Sequence, residues 1–217
     1  MVPSNVGATK HTSQNDSLFQ YDLGKAFIQP NGPIVAGSFT TIQFTYTCGH
    51  PIDDSGYIKI TFGSTSDAGA PQLDDPGAPN FTTVATTGNC RIEARWDPKG
   101  HIRPWSRALF LKIRGGYLDR GEQIAVTFGA TAEGSPGWQM QTNCVEKFEF
   151  KTFVDPIATY QFKELPASPN FSQFFLEKIS YTIFRHTAAG SNFSLLIDID
   201  VIIKSQTISP KAMESRL

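Results

Sequence analysis

The residues best equipped for chemistry crowd into one stretch of this 217-residue chain. Between Arg91 and Arg120 stand eight basic residues (Arg91, Arg95, Lys99, Arg103, Arg107, Lys112, Arg114, Arg120) against three acidic ones (Glu93, Asp97, Asp119), a local charge of +5 where the whole chain carries −1. Trp96 and Trp105 bracket the turn Asp97-Pro98-Lys99-Gly100-His101-Ile102-Arg103-Pro104. Indole faces stack on sugars and bases, and guanidinium groups pair with anions. Trp96, Lys99, His101, Arg103, Trp105, Arg107 and, from a later loop, Trp138 are therefore candidate binding residues for a carbohydrate or a small anion. A structural reading stands beside this one. Trp96 could anchor its strand in a core, Trp105 could cover one end of the fold, and the arginines could brace loops or face a neighbouring domain.

Catalytic groupings are harder to find. His11, His50, His101 and His186 are scattered singly, and no element presents two metal ligands at once. Gly-x-Ser-x-Gly elbows, phosphate-cradling loops and dinucleotide fingerprints are all missing, so acyl transfer and nucleotide hydrolysis gain no support and no cofactor is expected. Asp74 and Asp75, with Gln72 and Asn80, could offer oxygens to calcium, but Asp and Asn beside Pro or Gly also open turns by bonding their own backbone. The second reading is stronger for Asp53 and Asp54. Asp198 and Asp200 share the polar phase of an alternating run, the ordinary solvated face. Cys48, Cys90 and Cys144 lack the close spacing of a zinc or redox pair; they read as reduced thiols, with a Cys48–Cys144 disulfide as the alternative.

What must position these residues is a set of short strands. Apolar residues recur at every second position in Ile42-Phe44-Tyr46, Ile58-Ile60-Phe62, Ile92-Ala94-Trp96, Leu109-Leu111-Ile113, Ile124-Val126-Phe128 and Phe148-Phe150-Val154. Turn clusters rich in Gly, Pro, Asp and Ser separate them, and the run Gly129 to Gly137 reads as a mobile hairpin loop. No helical period lasts beyond about three turns. Seven or more such strands predict an all-β fold, an antiparallel sandwich of immunoglobulin-like type. The expected organisation is a flexible segment over 1–23, a sandwich over 24–166, and a linker with an incomplete second β module or extra strands over 167–217. The linker signal is Leu165-Pro166-Ala167-Ser168-Pro169-Asn170. Beyond it the stripe Leu195, Ile197, Ile199, Val201 and Ile203 needs cover, which raises self-association through the 195–203 strand.

Charge and composition narrow the partners. The nearly neutral chain has no global field for nucleic acid, and no apolar run is long enough to span a membrane. Residues 1–20 lack the basic start and apolar stretch of a secretory signal, so a cytoplasmic location is expected, with no nucleic-acid or membrane partner.

Three separated loops carry a family resemblance: DDPGAPNF from Asp74 to Phe81, DPKGHIRPW from Asp97 to Trp105, and GSPGWQMQT from Gly134 to Thr142. Their order resembles the N-terminal region of a large bacterial family without an assigned activity, over roughly Gly24 to Pro166. Full-length members carry immunoglobulin-like modules ahead of a metal-dependent hydrolase-like domain, similar to the polymerase-and-histidinol-phosphatase superfamily. The resemblance implies an accessory or docking sandwich whose partner is a downstream hydrolase-like domain or another protein domain. The family's metal ligands begin in a Gly-Asp-Leu-His type segment. Nothing from Pro166 to Leu217 matches it, so no ligand carries over and catalysis on this chain is not expected.

Overall fold

A strand with one apolar face can bury only that face, so two sheets of such strands close on each other. The computed structural model describes residues 22–186 and 194–204, with side-chain surroundings for 22–175. The self-association stripe is thus placed by its backbone alone, and most of the 1–23 segment lies outside the described residues. Every regular element among them is a strand. In chain order these are β1 (Lys25–Gln29), β2 (Ile34–Val35), β3 (Phe39–Thr40), β4 (Ile42–Thr47), β5 (Tyr57–Phe62), β6 (Thr82–Thr86), β7 (Arg91–Asp97) and β8 (Arg107–Arg114). There follow β9 (Gln123–Phe128), β10 (Trp138–Gln139), β11 (Phe148–Glu149), β12 (Lys151–Asp155), β13 (Lys163–Glu164), β14 (Asn170–Phe171), β15 (Gln173–His186) and β16 (Ser194–Lys204).

The protein is an all-β sandwich. One sheet runs β1-β4-β9-β6 and the other β13-β12-β5-β8-β7, every neighbour antiparallel. Ile42, Phe44, Tyr46, Ile124, Val126 and Phe128 of the first face Ile58, Ile60, Phe62, Leu109, Leu111, Ile113 and Val154 of the second, all buried. Each such side chain contributes roughly 1.5–3 kcal/mol by leaving water. At one end the packing is aromatic: Trp138 stacks on Phe128 at 4.9 Å between ring centres, and Phe62 meets Phe150 edge-on at 5.3 Å.

Two sequence expectations change. The Pro166–Pro169 stretch is sewn onto the sandwich: Leu165 N–H donates to Thr152 O, Phe150 N–H donates to Pro169 O, and Phe171 is 2% exposed and stacked on Phe148. Gln173 and Phe174 then pair in parallel with Ile34 and Val35, so the packed body reaches at least Phe174. The Gly129–Gly137 run is pinned at both ends, with Ala130 N–H on Phe81 O and Gly137 O accepting from Asn80 N–H; only Thr131 to Gly134 and Pro136 stand exposed. Glycine is obligatory at its start. Gly129 has a φ of 69°, and a Cβ there would stand 2.0 Å from the Trp138 nitrogen.

Candidate functional site

Alternation decides what the five-stranded sheet turns away from the core. With Ile58 and Ile60 inward, Lys59 points outward from the middle strand, and register sets Glu164, Phe153, Lys59, Phe110 and Arg95 in one row across all five strands. The Lys59 ammonium lies 3.7 Å from the Phe162 ring centre, 5.4 Å from that of Phe153 and 5.6 Å from that of Phe110. Its hydrogen-bond partner is His101 Nδ1 at 3.2 Å, and no ion pair among the described residues includes it. Lys59 is 4% exposed, so a cation sits under aromatic cover without a carboxylate. Burial pushes its pKa down from the usual amine range. The His101 imidazole, packed on Phe153 at 4.7 Å, is also pushed down, by burial first and then by Lys59, with Glu164 opposing and Lys151 reinforcing.

His101 arrives on the turn between β7 and β8, and hydrogen bonds give that turn its shape. Lys99 N–H donates to Asp97 Oδ1, His101 N–H to Ser106 O and Trp105 N–H to Ile102 O. Ser64 N–H donates to Pro104 O at 2.7 Å, while Ser106 donates from N–H and hydroxyl to Ser64 Oγ. Gly100 lets the turn lie flat on the sheet, because a Cβ there would stand 2.5 Å from Phe110 Cε2 and 2.9 Å from Ala108 Cβ. Outward from this frame project Lys99, Arg103 and Ile102, the last 76% exposed. Trp105 is half-buried, with Lys151 Nζ 5.3 Å from its ring centre and 2.7 Å from Glu164.

The remaining sequence candidates do not converge here. Trp96 packs inward on Phe62 at 5.8 Å. Arg107, opposite Phe62 on the same inward phase, donates to Ser66 O at 2.5 Å and Ala68 O at 2.7 Å, which fastens the 63–69 loop. Trp138 is 1% exposed in the core and donates Nε1–H to Gly69 O. Arg107 also lies 5.5 Å from the Trp96 ring centre, so these two meet each other on the inward phase and not on the outer face that carries Lys59 and His101. Asp74 and Asp75 form a turn: both amides donate to Gln72 Oε1, and Asp75 Oδ1 accepts from Gly77 N–H. Asn80 Oδ1 is taken by Gln139 N–H, and no three metal-ligating side chains gather among the described residues. The three cysteines are free thiols, Cys48 buried and pushed up to about 11 mainly by burial.

The turn was a candidate in the sequence; Lys59, Phe110, Phe153 and Phe162, which the structure gathers beside His101, were not. The available signal was phase: Phe110 and Phe153 occupy the solvent phase of strands whose inward phase is already apolar, which marks a second, outer cluster. No family model matches the chain, and no curated protein matches it.

Proposed function

We propose that the chain is a non-catalytic β-sandwich of immunoglobulin-like type that docks through its 97–106 turn onto a metal-dependent hydrolase-like domain, as the sequence resemblance implies. One observation carries this reading: Ile102, 76% exposed, is held out on a turn whose backbone is bonded within itself and to Ser64. An apolar side chain on a preformed turn orders little on entering a pocket, and Lys99 and Arg103 beside it favour an acidic rim. The carbohydrate or small-anion reading keeps Lys99, His101, Arg103 and Trp105 at the turn but has Trp138 in the core and Arg107 bonded to the 63–69 loop.

The test is calorimetric titration of the chain with a separately expressed hydrolase-like domain from a full-length member of the family it resembles. Saturable binding is expected, weakened about 30-fold or more by Ile102→Asp, which corresponds to a hot spot of about 2 kcal/mol. The melting temperature should move by no more than a few degrees, because Ile102 contacts solvent. Absence of binding, or undiminished binding by the variant, would refute the docking role.

A further inference from the structure

We infer that Lys59 and His101 form a pH-sensitive latch that holds the tip of the 97–106 turn flat on the five-stranded sheet and lets it lift on acidification. The consequence for docking rests on the function proposed above; the latch itself does not.

The pair has room for one positive charge. In the closed turn the Lys59 ammonium donates to His101 Nδ1, which must then be unprotonated, with the ring proton on Nε2. A second proton sets two cations 3.2 Å apart with no acceptor between them. The surroundings do not neutralise it. From β12 comes Lys151, from β13 Glu164, which is bound to Lys151 at 2.7 Å, and from β8 only the Phe110 ring. Arg95 on β7 is paired with Asp97 at 3.0 Å, and Asp97 also holds the Lys99 amide. Lys99 and Arg103 on the turn add positive charge.

The element that yields is the turn. Lys59 is fixed in the middle strand of the sheet and the Ser64 bonds to Pro104 and Ser106 hold the base of the turn, whereas the tip is held to that sheet by His101 on Phe153 and Lys59 and by the contact of Gly100 with Phe110 and Ala108. The direction follows from linkage. The closed turn depresses the imidazole pKa, so it is fully favoured above the ordinary value of about 6.5 and loses ground as pH falls below it. The lifted turn exposes His101 and takes the proton.

The experiment is NMR on the full chain without any partner. Nuclear Overhauser contacts between the Gly100 α-protons and the Phe110 ring should be present at about pH 7.5 and lost at about pH 5, below the ordinary imidazole pKa. In His101→Phe, which keeps a ring against Phe153 without a titrating nitrogen, they should persist at both. In Lys59→Met the His101 titration should move up towards the ordinary range. Contacts unchanged by acid in the wild type, or lost by acid equally in His101→Phe, would overturn the latch. A turn that lifts in a chain that fails to bind the hydrolase-like domain at about pH 7.5 would leave the latch standing and sink only the docking role.

Discussion

At the scale of single residues, the chain spends its large and charged side chains in three ways. Trp138 fills the core, and Trp138→Ala should cost about 3–5 kcal/mol in a urea unfolding curve. Arg107 is a brace: Arg107→Ala strips the donor from Ser66 O and Ala68 O and should cost about 2–4 kcal/mol. A stability unchanged by Arg107→Ala would return that guanidinium to the surface as a binding group. Lys59 is different: burial pushes its pKa down, and aromatic faces rather than a carboxylate surround its charge. The sequence made the basic residues visible and not their uses. A strand residue's phase tells which face it takes, whereas what covers that face depends on Phe162 and His101, far along the chain.

Between residues and fold, the turn acts as a unit. Gly100→Ala pushes a Cβ into the Phe110 ring edge and the fixed Cβ of Ala108, and should lower stability by about 1–3 kcal/mol while raising the His101 pKa towards the ordinary imidazole range. Thermal unfolding together with a titration of the His101 ring protons checks both; a loss of stability with an unmoved titration would separate turn placement from the latch. The strands β4, β5, β7, β8 and β9 were legible because each presents a full apolar phase to the core. β1 and β6 were not. They are the two edges of their sheet and, unlike β7, an edge that keeps the apolar alternation Ile92, Ala94 and Trp96, they carry little apolar phase: KAFIQ offers only Ile28 as a buried side chain, and the threonine-rich TTVAT only Thr82. The Pro166–Pro169 stretch misled for a backbone reason. Proline lacks a donor, but its carbonyl still accepts, and Pro169 O takes the Phe150 amide.

At the scale of the whole molecule, the end of the sandwich and the long β15–β16 ribbon act together. Chain beyond Pro169 supplies Phe171, parallel to Phe148 at 4.9 Å, the β14 rung on β11, and the Gln173 amide on Val145 O. Truncation after Pro169 removes all three and opens a cavity the size of a buried phenylalanine, about 3–5 kcal/mol in a domain whose total stability is of order 5–15 kcal/mol. Such a chain should unfold or populate a loosened state. Truncation after Phe175 keeps every one of these contacts and should leave a cooperative, monomeric sandwich by calorimetry and light scattering. The ribbon then accounts for association. Its register sets Ile197, Ile199 and Val201 opposite Ile183, Tyr181 and Ile179, and β16 pairs only with β15 among the described residues. A two-stranded ribbon with apolar residues in register and an unpaired outer edge is stable only when covered. The full chain is therefore expected to self-associate in a concentration-dependent way that the chain ending at Phe175 does not. A full chain that stays monomeric across the same concentrations would mean that the ribbon finds its cover on its own molecule.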